Sequence, residues 1–118
     1  MNNLPIIAIT SGEPAGIGPE LIAAIQPQDF AARLVVIGDE ELIRSRASTT
    51  NQPLKLQTYN IDASPAPDSI EIIHQPLACP SIAGQLDVQN AQYVLSLLDT
   101  ACNGCLQHEF DAMVTAPV

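Results

Sequence analysis

The sequence predicts an α/β protein built on a mostly parallel sheet, and two observations support this prediction. Short continuous apolar runs recur along its 118 residues, as they do in strands that are buried on both faces. Segments with helical spacing separate these runs, and an alternating order of strands and helices favours parallel pairing. We therefore expect three layers, in which helices flank the sheet.

The first half of the chain is predicted to form two strand–helix pairs. A buried strand is expected in LPIIAIT, and Pro19 can begin the helix that follows because the first helical position needs no N–H. Pro27 should end that helix. RLVVIG at residues 33–38 predicts a second buried strand, and Asp39 can cap the next helix, EELIRSRA.

The second half begins with a polar stretch, residues 48–69, in which the alternating run LKLQTY predicts an edge strand. IEIIHQP predicts a further strand. Apolar residues at 88, 91, 94, 95, 98, 101 and 102 predict a long helix, which Asn103 and Gly104 would close as a C-terminal cap. The last apolar run, at residues 110–118, predicts a final buried strand.

The composition argues against several classes of function. Thirteen acidic and four basic side chains give a net charge of −9, which disfavours a surface for nucleic acid or for an anionic membrane. No run approaches the roughly 18 apolar residues of a membrane span, and the amino terminus lacks an export signal. Three cysteines without such a signal fit a reducing compartment. We therefore expect a cytoplasmic protein.

A glycine-rich string, TSGEPAGIGPE, stands directly after the first predicted strand. Glycines let the backbone turn sharply and approach a ligand closely. The spacing of Gly12, Gly16 and Gly18 matches neither the dinucleotide fingerprint nor the P-loop. Glu13 and Glu20 would repel a phosphate placed beside them. The residues alone leave open a tight strand-to-helix connection or a ligand-binding loop.

Two segments are expected at one edge of the sheet. Ligands of open α/β sheets bind beyond the carboxyl ends of the strands, and residues 12–18 and 115–118 both follow predicted strands. We expect residues 12–18, here called the glycine loop, to follow a strand near the middle of the sheet, with Pro19 in the first turn of the next helix.

The string GEPAGIGPE, following IAIT, resembles the amino-terminal signature of the 4-hydroxythreonine-4-phosphate dehydrogenases of vitamin B6 synthesis. That family is structurally related to the isocitrate and isopropylmalate dehydrogenases. LVVIGD, AGQLDVQNAQYV and ACNGCLQHEFDAMVTAPV are also similar to family segments and stand in family order. The resemblance implies that residues 1–118 form the amino-terminal part of the first α/β domain.

The resemblance also implies the chemistry of the complete enzyme. Family members use NAD or NADP and a divalent metal, zinc, magnesium or cobalt, to oxidise and decarboxylate 4-phosphohydroxy-L-threonine to 3-amino-2-oxopropyl phosphate. They are homodimers. Three histidines beyond Val118 would hold the metal, so we expect no catalytic or metal-ligating residue within this sequence and no activity from it alone.

The site residues implied for this sequence are therefore few. Gly12, Glu13, Gly16 and Gly18 are expected on the cofactor side, and Thr115 on the substrate side. For Glu13, a hydrogen bond to loop amides and a contact with substrate remain equally open.

Two other functions stay open. A paralogue could act on D-threonate or D-erythronate 4-phosphate, and a free-standing α/β binding module is a third possibility. The coding frame beyond Val118 would separate a module from an enzyme, because only the enzyme needs spaced histidines downstream.

The spacing Cys102-x-x-Cys105-x-x-His108 allows a metal or redox interpretation. These cysteines lie at the carboxyl end of a predicted helix, where the dipole does not favour a thiolate. A fourth zinc ligand would have to come from distant Cys79 or His74. We therefore expect structural packing instead.

Two other polar features favour simple structural roles. His74 follows a predicted strand and is expected at the surface or at the edge of the core. The acidic cluster of Asp39, Glu40 and Glu41 fits a helix cap better than a metal site.

Overall fold

A computed structural model of the protein describes residues 4–50, 54–66 and 68–118. Five strands form one sheet: β1 (Ile6–Thr10), β2 (Arg33–Gly38), β3 (Leu56–Thr58), β4 (Ile70–His74) and β5 (Ala112–Thr115). Their order is β3-β4-β2-β1-β5, and every neighbouring pair is parallel. The predicted α/β class and parallel sheet are confirmed, and β3 is the edge strand expected within LKLQTY.

Within the described ranges, three helices flank the sheet: α1 (Gly18–Ala23), α2 (Glu40–Thr50) and α3 (Ala91–Leu106). Short 3₁₀ turns lie at Pro27–Asp29 and Val88–Asn90. Pro19 stands in the first turn of α1, as predicted. In the described part of the chain, none of the helices has both the length and the apolar character needed to cross a bilayer.

The core is split by the sheet into two aliphatic clusters, because successive residues of a strand point to opposite faces. Ile37 packs with α3 on one face, and Val36 packs with α1 and α2 on the other. The first cluster comprises Ala8, Ile37, Tyr93, Val94, Leu97, Ala101 and Phe110; the second comprises Ile22, Val36, Ile43, Ile70 and Ile72. This arrangement is the three-layer fold that the sequence predicts.

The predicted carboxyl end of α3 is wrong. Asn103 and Gly104 do not cap the helix, which continues to Leu106. His108 adopts the left-handed conformation beyond the helix, with φ 62°. Gly104 serves a different purpose, since a β-carbon there would overlap the ring of Phe110. The glycine is needed for a close approach inside the helix.

The buried face of α3 also differs from the predicted one. Val88 precedes the helix and is 90% exposed, and Leu95 is 54% exposed. Tyr93 and Leu97 are buried instead, together with Val94. The prediction counted only aliphatic and small residues, and it missed Tyr93, whose hydroxyl finds polar partners inside the protein.

The last strand is in its predicted place but is not buried. Ala112, Val114 and Thr115 are exposed, and Met113 alone in β5 packs partly against the α3 cluster. An apolar run predicts burial on both faces, whereas β5 is an edge strand that, in the part of the chain that the structure describes, pairs only with β1.

Replacing Gly104 with alanine should lower the free energy of unfolding by up to about 2 kcal/mol. The added methyl group would displace the buried Phe110 ring, at a cost of about 1–3 kcal/mol, while the better helix propensity of alanine offsets about 1 kcal/mol. Urea denaturation measures the change. Asn103→Ala, on the exposed side of the same turn, is the matched control, and a Gly104→Ala protein more stable than wild type would contradict the packing role.

Candidate functional site

From the topology of the sheet, a ligand is expected in a crevice beyond the carboxyl ends of β1 and β5. From β1 the chain adds β2, β3 and β4 on one side, with β4 inserted between β2 and β3, and it then places β5 on the other side of β1. In open α/β sheets the ligand site lies where the strand order reverses, beyond the carboxyl ends of the two strands. The glycine loop follows β1 and residues 116–118 follow β5, so both predicted segments lie at this position.

The two segments are joined by backbone hydrogen bonds. The N–H of Ala116 donates to the carbonyl of Thr10 over 3.0 Å, and the N–H of Glu13 donates to the carbonyl of Pro117 over 3.1 Å. Gly12 lies between them with φ 77°, and a β-carbon on it would overlap the carbonyl oxygen of Pro117. Only glycine satisfies both the backbone conformation and the close approach at this position.

Gly18 is the second sterically required glycine. A β-carbon on it would overlap the carbonyl oxygen of Ser11 and would stand 2.9 Å from the β-carbon of Ala116. At Gly16 the nearest atom, the carbonyl oxygen of Glu13, would be 3.3 Å away, so this position is less constrained. The glycines at positions 12 and 18 therefore hold α1 against the ends of β1 and β5.

Glu13 is bound to its own loop. Its Oε1 accepts a hydrogen bond from the N–H of Ala15 over 3.2 Å, and its carbonyl accepts one from the N–H of Gly16 over 2.9 Å. Of the two roles left open by the sequence, the structure contains the hydrogen bond to a loop amide.

Arg46, on α2, is a site residue that the sequence reasoning missed. Its side chain is 8% exposed. Nη2 donates to the carbonyl of Pro14 over 2.8 Å, Nη1 donates to the carbonyl of Gly16 over 3.3 Å, and Nη1 lies 3.6 Å from Oε1 of Glu20. The signal was present, because Arg46 follows Leu42 by four residues and so shares the buried face of α2.

A short turn also supports the loop. Ile82 and Gln85 form an antiparallel bridge, and the N–H of Gly84 between them donates to the carbonyl of Ala15 over 2.8 Å. The carbonyls of residues 13–16 thus all accept hydrogen bonds within the protein.

Tyr93 connects α3 to the ends of β1 and β2. Its hydroxyl accepts a hydrogen bond from the N–H of Asp39 over 2.8 Å and lies 3.3 Å from Oγ of Ser11. Burial raises the pKa of Tyr93 above its ordinary value, so the group is a neutral hydroxyl at physiological pH. Nearby, Oγ1 of Thr10 is buried and has no hydrogen-bond partner among the described residues. It is an unused hydrogen-bonding group in the last residue of β1.

Asp39 occupies the position that often binds ribose in dinucleotide folds, after the second strand and about 20 residues beyond the glycines. Here both of its carboxylate oxygens are used. Oδ1 accepts from the N–H of Leu42 over 3.0 Å, which is the predicted helix cap, and Oδ2 accepts from the N–H of Leu77 over 2.8 Å. Asp39 is therefore structural, and a ribose role for it is disfavoured.

Comparison with known proteins decides the family. A family model described as "Pyridoxal phosphate biosynthetic protein PdxA" matches residues 30–118. The chain belongs to the PdxA family. The resemblance found in the glycine loop is thereby confirmed, although the family model itself matches the part of the chain that follows the loop.

Individual PdxA relatives agree. The 4-hydroxythreonine-4-phosphate dehydrogenase of Azoarcus sp. (strain BH72) is 52% identical over all 118 residues, which cover 36% of that protein. The enzyme of the same name from Chromobacterium violaceum is 45% identical over the same share of each chain. The chain thus spans about a third of the length of the curated relatives it matches.

Solved PdxA structures have the same fold. The 4-hydroxythreonine-4-phosphate dehydrogenase of Klebsiella pneumoniae superposes with a TM-score of 0.84 at 28% identity, covering 96% of this chain and 37% of that one. The enzyme of the same name from Burkholderia phymatum gives 0.84 at 25% identity, covering 98% and 37%. The predicted α/β architecture, as part of a larger fold, is confirmed by these neighbours.

The cysteine–histidine motif of this PdxA chain lies away from the crevice. Cys105 packs partly against the α3 core, as expected, but Cys102 is exposed, so the packing prediction is wrong for Cys102. Cys79 lies elsewhere, and its Sγ is 3.3 Å from Oδ2 of Asp87. The pKa of the Cys79 thiol is raised, mainly by burial and to a smaller extent by the Asp87 carboxylate.

Across residues 4–50, 54–66 and 68–118, no three His, Cys, Asp or Glu side chains are placed to share a metal ion. His74 is exposed, as predicted, and its Nδ1 accepts a hydrogen bond from the N–H of Glu40. The described residues therefore do not fit the divalent metal that the family resemblance implies.

Proposed function

We propose that residues 1–118 form the amino-terminal part of the first domain of a metal-dependent, NAD(P)-linked 4-hydroxythreonine-4-phosphate dehydrogenase. The complete enzyme would oxidise and decarboxylate 4-phosphohydroxy-L-threonine to 3-amino-2-oxopropyl phosphate in pyridoxal phosphate synthesis. One observation carries the proposal: in a PdxA-family sheet, the glycine loop is hydrogen-bonded to the segment after β5, at the position where the strand order reverses.

In this proposal the loop faces the nicotinamide cofactor. The N–H groups of Ile17 and Gly18 have no hydrogen-bond partner among the described residues. Gly18 is buried and Ile17 is exposed, so the N–H of Ile17 is the one that we expect to meet an anionic ligand. The two acidic residues that should repel a phosphate are both partly compensated. Glu13 accepts a hydrogen bond from Ala15, and Glu20 faces Arg46. Gly12, Glu13, Gly16 and Gly18 are the proposed cofactor-side residues.

Thr115 is the proposed substrate-side residue. It pairs with Thr10 in the register of β1 and β5 and is exposed at the mouth of the crevice. When bound, the metal would polarise the substrate alcohol and the later enolate as a Lewis acid. Because the described residues do not fit a metal, we assign its ligands, for zinc, magnesium or cobalt, to residues outside this sequence.

The proposed setting of the complete enzyme follows from the same family reasoning. We place it in the cytoplasm as a homodimer that binds a small phosphorylated substrate, without nucleic acid or membrane partners.

The complete gene product is expected to reduce NAD or NADP when it is given 4-phosphohydroxy-L-threonine and a divalent metal. Residues 1–118 alone should give no turnover, because they lack a metal site among their described residues. Nicotinamide absorbance measures the reaction, and a chelator should abolish it. Turnover of D-threonate or D-erythronate 4-phosphate instead would establish the paralogue. A gene product that turns over none of the three substrates would contradict the enzyme assignment.

A further inference from the structure

We propose that Arg46 is a positioning residue, which holds the glycine loop in the shape that binds the nicotinamide cofactor. The inference rests on the proposed function, since it names the side chain through which α2 controls that loop. Arg46 itself lies behind the loop and would not touch the cofactor.

Four carbonyls of the glycine loop receive half of their hydrogen bonds from Arg46. These four consecutive carbonyls, those of residues 13–16, accept hydrogen bonds from within the protein. Two of the four bonds are supplied within the backbone, by the N–H groups of Gly16 and Gly84. The other two come from the guanidinium of Arg46. Without that side chain, the carbonyls of Pro14 and Gly16 would lose the only hydrogen bonds that they accept from the described residues.

The guanidinium of Arg46 bridges two loop carbonyls. Nη1 and Nη2 are held in one plane, and each donates to a different carbonyl, of Gly16 and Pro14 respectively. A lysine ammonium carries a similar charge but is a single donor centre and cannot reproduce this planar fork. The spacing between the two carbonyls is therefore set by the guanidinium itself.

The charge of Arg46 also faces the carboxylate of Glu20. Arg46 is 8% exposed, and Glu20, in the first turn of α1, supplies the nearby negative charge at 3.6 Å. Oε1 of Glu20 is buried and makes no hydrogen bond among the described residues, so the contact is an ion pair across the exit of the loop. Arg46 consequently lowers the negative potential that Glu20 would otherwise present to a dinucleotide phosphate.

The test compares three variants of the complete gene product: Arg46→Met, Arg46→Lys and the control Arg44→Met. Arg44 stands on the same helix but is exposed, and among the described residues its guanidinium is paired with Glu40 alone. Two measurements are made on each: amide hydrogen exchange resolved to residues 15–18, and steady-state kinetics with NAD and substrate varied separately. Exchange is read against the amides of β2, at the centre of the sheet.

For Arg46→Met we expect exchange at residues 15–18 to rise about 10-fold or more, because a charge-assisted restraint is lost, with β2 unchanged. The KM for NAD should also rise about 10-fold or more while kcat stays within about 3-fold, which is the signature of lost ground-state binding. Arg46→Lys should keep part of the affinity for NAD, because it retains the charge, but should show the faster loop exchange. Millimolar guanidinium should partly restore NAD binding to Arg46→Met, and Arg44→Met should behave as wild type.

Three results would overturn the proposal. Unchanged exchange in the loop of Arg46→Met would show that the loop does not depend on this side chain. Faster exchange throughout β2 would make Arg46 a general packing residue. Faster amide exchange at residues 15–18 with an unchanged KM for NAD would show that the shape of the loop does not affect cofactor binding. Absence of turnover in the wild type defeats the proposed function instead, and is distinguished by the wild-type assay alone.

Discussion

Replacing Gly12 with alanine is expected to reduce kcat/KM of the complete enzyme by about 100-fold or more and to destabilise the fold. The backbone at this position has φ 77°, and a β-carbon would overlap the carbonyl oxygen of Pro117. The left-handed conformation costs a non-glycine residue about 1–2 kcal/mol, and relieving the overlap costs about 1–3 kcal/mol more. The carboxyl ends of β1 and β5 must separate, and a displacement of about 1 Å at a reacting site can reduce the rate about 100-fold.

Gly84 offers a matched control for this experiment. It has a similar φ of 80°, but a β-carbon there would meet no atom within 4 Å. Gly84→Ala therefore introduces the strain of a left-handed backbone without a steric overlap. It should lower the free energy of unfolding by about 1–2 kcal/mol and should change turnover little. Steady-state kinetics and urea denaturation measure both variants. Equal losses of turnover in the two would show that strain, and not the contact with Pro117, accounts for the effect.

Replacing Arg33 with methionine is expected to destabilise the protein by about 3–5 kcal/mol, since it leaves a buried carboxylate without its partner. The side chain of Glu71 is 2% exposed, and its two oxygens accept from Nε and Nη2 of Arg33 over 2.6 and 2.7 Å. Nη2 also donates to the carbonyls of Asn60 and Ala63. The hydrogen bond to Glu71 raises the pKa of Arg33 further above its ordinary value, so the guanidinium stays charged at any accessible pH.

The double variant Arg33→Met/Glu71→Leu tests the cause of that loss. Removing the carboxylate as well should recover part of the stability, because an apolar pair avoids the unpaired buried charge. Recovery should be incomplete, since the carbonyls of Asn60 and Ala63 still lose their donor. Thermal unfolding measures both proteins. Arg44→Met removes only an exposed ion pair with Glu40 and should cost less than about 1 kcal/mol. A single variant as stable as this control would contradict the prediction.

The sequence predicted the fold well because burial and strand pattern are local signals. The apolar runs before Ser11 and Asp39 are interior strands, and Pro19 begins a helix. The errors arose where the outcome depends on distant residues. Gly104 has the composition of a helix cap, yet it is used for contact with Phe110. β5 has the composition of a buried strand, yet one of its edges has no strand beside it among the described residues.

The sequence predicted where the candidate site lies, but it did not predict the contacts that hold the site together. Strand order and the glycine string placed the loop at the carboxyl edge, and the family resemblance supplied its expected function. The reason for each glycine was not visible, because Gly12 and Gly18 are constrained by the segment after β5. Arg46 was missed for a similar reason. A basic residue on a helix usually faces solvent, and only the folded structure shows which carbonyls it reaches.

The hydrogen bond from Glu13 to Pro117 also has a consequence for the nascent chain, since it joins residues about a hundred positions apart. At about 5–20 residues per second, the ribosome adds Pro117 roughly 5–20 s after Glu13. During that interval β1 has been made but β5 has not, so one side of β1 presents unpaired backbone groups. A ribosome that pauses before residue 112 therefore prolongs the period in which β1 can pair with a wrong strand, and chaperone binding to β1 would matter most in that period.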